Sequence, residues 1–147
     1  MMTKLLLEAG VPGNAVQCIT GSGAIVGDGL VSDPRVAGVT LTGSTRVGIN
    51  IAKQCAAQLK PYSLELGGND PLVIMDDTSV DEAVEQALGG RIANAGQICC
   101  SSKRFIVQNT IKDEFAKKLA EKLSQMKLGD PLDPDTKVGP VINENAA

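Results

Sequence analysis

The sequence predicts an α/β protein with a largely parallel sheet covered by helices, and three observations carry that expectation. Short apolar runs suited to strands alternate with stripes of helical period. Glycine-bearing turns join strand ends to helix starts. The balance of 43% apolar and 21% charged residues is that of a globular protein, and every apolar run falls short of the roughly 20 residues needed to cross a bilayer. A chain of 147 residues suffices for one ordinary domain, burying roughly 68–70% of its unfolded surface. The formal charge of −3, with basic residues scattered along the chain, argues against a nucleic-acid partner. No secretory signal pattern opens the sequence, so the cytosol is the expected compartment.

Element by element, residues 3–9 read as a helix stopped by Gly10 and Pro12. Residues 15–19 read as a strand that opens into the turn Thr20-Gly21-Ser22-Gly23 and a short helix near 24–31. Residues 36–41 read as the next strand, followed by a helix whose face repeats Val47, Ile51, Cys55 and Leu59. Two further strands, 62–66 and 71–75, flank Gly67-Gly68, which breaks the run and marks a domain boundary near Gly68. Ser79 and Glu82 form a capping box for a helix with Val80, Ala83, Val84, Ala87, Leu88 and Ile92 inward. A strand at 104–107 and an amphipathic helix at 111–127 follow, the latter with Phe115, Leu119, Leu123 and Met126 inward and Gly129 and Pro131 as its stop. The last segment, 137–147, shows no period.

Three places carry candidate chemistry. Thr42-Gly43-Ser44-Thr45-Arg46-Val47-Gly48 joins a strand to a helix, where free N–H groups attract an anion. An ordinary N-capped turn fits the same residues. Glu65 closes a strand before two glycines, as a general base or as a solvated carboxylate. Cys99 follows the polar stretch Asn94-Ala95-Gly96-Gln97; either it is an exposed nucleophile, or it packs in the core as free cysteines commonly do, with Cys100 expected to pack. The chain holds no histidine, which excludes imidazole-activated nucleophiles and histidine-bound zinc within it, so a reactive thiol here would need a carboxylate as base. The four cysteines follow neither a zinc-ribbon nor a disulfide-framework spacing, and reduced thiols are expected.

Taken in order, Glu8-Ala9-Gly10-Val11-Pro12-Gly13, Leu41-Thr42-Gly43-Ser44-Thr45, Glu65-Leu66-Gly67-Gly68, Gly96-Gln97-Ile98-Cys99 and Gly139-Pro140-Val141-Ile142-Asn143 resemble the aldehyde dehydrogenase superfamily. The resemblance implies part of a Rossmann-like dinucleotide-binding domain over residues 1–67, followed by part of the α/β catalytic domain over 68–147. It implies Cys99 as nucleophile and Glu65 as general base, with Gly43, Ser44, Gly48 and Leu66 on the side of an NAD or NADP cofactor. The implied reaction takes a small aldehyde through a cysteine thiohemiacetal and thioester to the carboxylic acid. The Cys99 N–H is one implied donor to the oxyanion. The asparagine that supplies the second donor in the family, the first cofactor-domain strands and the later glutamate motif are absent. The chain therefore resembles an internal fragment, expected to be inactive alone, of a parent that assembles as a homodimer or homotetramer. The stretches around Asn94 and Gly68 look most like the succinate-semialdehyde dehydrogenase group. A CoA-acylating relative is the first rival, disfavoured because such relatives typically lack the glutamate of Glu65-Leu66-Gly67-Gly68. A non-catalytic nucleotide-binding module is the second, disfavoured by retention of both Glu65 and Cys99.

Overall fold

The computed structural model describes residues 1–146, in two compact units, Met1–Leu66 and Gly67–Ala147. The end of the aperiodic segment expected at 137–147, Ala147, lies outside the described residues.

The first unit opens with helix α1, Met2–Glu8. Its last carbonyls are closed by the paired bonds of a Schellman cap: the Val11 N–H donates to Leu6 O at 3.0 Å and the Gly10 N–H to Leu7 O at 3.0 Å. Residues 15–19, an expected strand, are irregular, and Ile19 is 60% exposed. Strand geometry persists only where a neighbour supplies a ladder of hydrogen bonds, and none pairs here among the described residues. A π-helical turn, Gly23–Gly27, then leads into α2, Asp28–Ser32. The pair that follows α2 is tight: Asp33 accepts from Arg35 Nε at 2.9 Å and Nη2 at 2.6 Å, which holds its carboxyl well below the usual carboxylate range.

Strand β1, Val39–Gly43, helix α3, Thr45–Ala57, and strand β2, Tyr62–Leu66, form a strand-helix-strand unit in which the two strands run parallel, Val39 opposite Tyr62 and Gly43 opposite Leu66. The strand expected from Val36 thus starts at Val39. Val31, Ile51 and Cys55 make the buried core, with Val39, Leu41 and Leu64 packed on it. Val47 and Leu59 depart from the expected stripe. Helix α3 ends at Ala57, so Leu59 lies beyond it at a φ of 55° and is 92% exposed. Gly48 takes a buried place on that face. Buried Lys60 closes the end of α2, donating to Val31 O and Asp33 O at 2.6 Å each; burying a cation requires such partners.

Gly48 is demanded by close approach, because a Cβ there would stand 2.6 Å from Leu66 Cδ2 and 3.1 Å from Cδ1. Alanine would displace only the flexible end of Leu66, but a branched side chain overfills the contact. Gly48→Val should therefore lower stability by about 1–3 kcal/mol. Urea unfolding should show the midpoint recovering in part when Leu66→Ala is added; no recovery would mean that the contact is not the cause.

In the second unit, β3, Pro71–Ile74, pairs parallel with β4, Arg104–Val107, and α4, Val80–Ile92, and α5, Lys112–Ser124, complete it. The Ser79 hydroxyl accepts from the Glu82 N–H at 3.5 Å, so the expected cap starts α4 on the serine side of the box. Ala83, Val84, Ala87 and Leu88 of α4 meet Phe115, Leu119 and Ile74 in one core, with Val80, Ile92 and Met126 at its margin. Phe105 and Phe115 pack edge to face, centroids 6.0 Å apart. Leu123, expected inward, is 39% exposed, since each four-residue step from Phe115 drifts about 40° around a helix of 3.6 residues per turn. Lys118 joins the helices through Asp81 and Glu114 at 2.8 Å each, and Lys122 pairs with Glu85. No described helix is long and apolar enough to cross a membrane.

Candidate functional site

In the first unit the carboxyl ends of the parallel strands gather most of the residues singled out above. Ligands of open α/β sheets bind at such an edge. Ser44 caps α3: its hydroxyl accepts from the Val47 N–H at 3.3 Å, and its carbonyl takes the Gly48 N–H at 2.9 Å. The N–H groups of Thr45 and Arg46 donate to no protein acceptor among the described residues. Two free donors and the positive end of a 13-residue helix form an anion-attracting edge beside Gly43. A Cβ on Gly43 would stand in ordinary van der Waals contact with Leu41, 3.7 Å away. Such an edge suits an anionic group. Gly48 and Leu66, by contrast, touch one another.

Glu65 lies opposite Thr42 in the sheet register. Leu64 packs on the core below α3 and Leu66 meets Gly48, so alternation along β2 sends the Glu65 side chain to the opposite face. It is exposed and has no ion-pair or hydrogen-bond partner among the described residues.

In the second unit, α4 is followed by a backbone segment that few residues adopt: Asn94, Ala95 and Gly96 all have positive φ, at 50°, 56° and 76°. Gly96 is fixed by space as well, since a Cβ would stand 2.5 Å from Arg91 Nη1 and 3.2 Å from Arg91 O. The chain then turns back through a bond from the Ser101 N–H to Ile98 O at 3.1 Å, which makes Cys99 and Cys100 the two central residues of a β-turn. Both are exposed, and all four cysteines are free thiols. The expectation that Cys100 is packed is thereby corrected: its place at the turn tip lifts it out, and Cys55 is the buried cysteine. The Cys99 N–H donates to no protein acceptor among the described residues, so a donor stands unused on the residue that carries the thiol.

Residues not singled out from sequence hold this turn. Ser101 is 2% exposed, and its hydroxyl is directed to the terminal α4 carbonyls of Gly90 at 3.1 Å and Arg91 at 3.3 Å. It acts as a helix cap from a residue 10 positions downstream. Ser101→Ala should cost about 0.5–1.5 kcal/mol by removing the buried hydroxyl that bonds to those carbonyls, read as a lowered urea midpoint; an unchanged midpoint would remove Ser101 from the anchoring role. Lys103 Nζ donates to Gly68 O at 2.5 Å and Cys99 O at 3.5 Å, tying the turn to the start of the unit. A run reading Cys-Cys-Ser-Ser gives no signal of burial, because the partners come from the end of a distant helix.

The model of the aldehyde dehydrogenase family matches residues 1–147. The chain is 43% identical over 145 residues to succinate-semialdehyde dehydrogenase [NADP(+)] of Escherichia coli, covering 99% of this chain and 30% of that one. It is 37% identical to lactaldehyde dehydrogenase of Methanococcus aeolicus, covering 100% of this chain and 31% of that one. The crystal structure of betaine aldehyde dehydrogenase from Staphylococcus aureus in complex with NAD+ superposes with a TM-score of 0.92 at 39% identity, over 97% of this chain and 28% of that one. The chain thus spans about three-tenths of the length of the relatives it matches.

Proposed function

The chain belongs to the aldehyde dehydrogenase family, and from that premise we propose that it supplies the thiol and base of an enzyme oxidising an aldehyde to a carboxylic acid with NAD or NADP. One observation carries this reading: Cys99 sits exposed on a hydrogen-bonded turn with its own N–H unpaired. The Cys99 thiolate attacks the aldehyde carbon, forming a C–S bond while the carbonyl electrons move to oxygen, and the Cys99 N–H donates to that oxyanion. The edge formed by Gly43, Ser44 and the first turn of α3 would hold the cofactor phosphate, with Gly48 and Leu66 packed together beside it. When bound, the nicotinamide would accept the hydride that leaves the thiohemiacetal carbon as its oxyanion re-forms the carbonyl, giving the thioester. Glu65 takes a proton from water, which attacks the resulting thioester carbon; the C–S bond breaks and the thiolate returns. Glu65 on an exposed strand end is free for that proton.

Succinate semialdehyde is the first substrate to test, since relatives named for it are among the most similar. The test uses an enzyme of the relatives' full length carrying this segment in place of its own, assayed for NADH or NADPH formation with a panel of small aldehydes. Acid quenching during turnover should trap an acyl group on the peptide that contains Cys99. Turnover with no adduct at Cys99 would overturn the assignment.

A further inference from the structure

We propose that Gln97 is a positioning residue that aims the Cys99 turn by clamping it to the segment around Ile142. The inference rests on Cys99 being the nucleophile. The Gln97 side chain spans two anchors: its Oε1 accepts from the Ile142 N–H at 2.8 Å, and its Nε2 donates to Asn94 O at 2.9 Å. The main chain repeats the link, for the Gln97 N–H also donates to Asn94 O at 3.1 Å, and Asn94 Nδ2 donates to Gln97 O at 3.3 Å. Asn94, the first of the three left-handed residues, and Gln97, which follows the last, are therefore tied to one another across the segment.

That backbone costs of order 1–3 kcal/mol for each strained non-glycine residue and persists only where its surroundings over-determine it. That tie alone is local and moves as a body with the loop. The bond to Ile142 is different, since it reaches 45 positions along the chain and refers the loop to a separate piece of the unit. Ile142 presents its N–H while the residue is 82% exposed, so the contact is a main-chain clamp rather than a packing contact. Two positions separate Gln97 from Cys99. A rotation of the loop about its ends would turn the free Cys99 N–H away from the oxyanion it serves, although the thiol would remain exposed. Electrostatic stabilisation of this kind depends on a donor fixed before the charge develops.

The clamp thus predicts a split between thiol availability and turnover. In the full-length enzyme carrying this segment, Gln97→Ala should lower kcat roughly tenfold, the range for a weakened oxyanion donor being up to about 10²–10³. KM for the aldehyde should change less than about threefold, and the rate of Cys99 alkylation by iodoacetamide less than about twofold. Ile142→Pro, which removes the donor without touching Gln97, should reproduce the loss, and the double variant should be no slower than either single one. Full kcat in both single variants, or multiplicative losses in the double, would overturn the clamp. A fall in Cys99 alkylation parallel to kcat would also overturn it, since the loop would then be merely misfolded. Alkylation of Cys99 that leaves turnover intact would sink the nucleophile reading, and the clamp with it.

Discussion

Cys99→Ser should abolish aldehyde oxidation, with a loss on the order of 10⁴ to 10⁶ in kcat, the scale seen when a covalent nucleophile is removed. A serine hydroxyl is far less acidic than a thiol, and no histidine within this chain can take its proton. The substitution is also structurally mild. Cys99 is exposed, and no described side chain bonds to its sulfur, so unfolding stability should stay within about 0.5 kcal/mol of the parent. Loss of turnover at unchanged stability is therefore the expected pair of results. Cys100→Ser is the matched control: it changes the neighbouring exposed thiol on the same turn and should retain most of the activity. Equal losses in both variants would show that the turn, not the Cys99 sulfur, had been damaged.

Glu65→Gln should divide the reaction at the thioester. Steady-state turnover should fall by about 10²–10⁴, the range for a lost general base, while a burst of reduced cofactor stoichiometric with Cys99 persists. The amide matches the carboxylate in shape, and Glu65 has no ion pair or hydrogen bond among the described residues whose loss would disturb β2. Rapid-mixing measurement of the burst decides the role. Disappearance of the burst with the steady state would move Glu65 into thiol activation, and unchanged turnover would remove it from the mechanism. A free thiol such as CoA that restored turnover by accepting the acyl group would confirm that only the hydrolytic half had been lost.

Sequence pattern located the elements that depend on near neighbours. Tyr62–Leu66 and Arg104–Val107 are strands where the apolar runs placed them, and Ser79 caps α4 as its spacing with Glu82 suggested. Periodicity was less reliable at element ends. Val47 and Leu59 shared the spacing of Ile51 and Cys55, yet α3 ends before Leu59, and Gly48 turned out to be the contact residue. The expected strand at residues 15–19 failed for a different reason, since strand character belongs to a pair of segments and no single run carries its partner.

By itself, then, the sequence determined the family, the alternation of strands and helices, and the residues offered for chemistry, because motif order and short-range periodicity are properties of the string. Tertiary structure decided how those residues are presented. It set Glu65 on the face away from α3, made Gly48 a contact for Leu66, lifted Cys100 out with Cys99, and recruited Ser101 and Gln97 to hold the turn. The bonds that hold the turn through Ser101 and Gln97 reach partners 10 and 45 positions away. A hydrogen bond or a steric contact exists only once the fold has brought both partners within reach, and no local pattern records that distance.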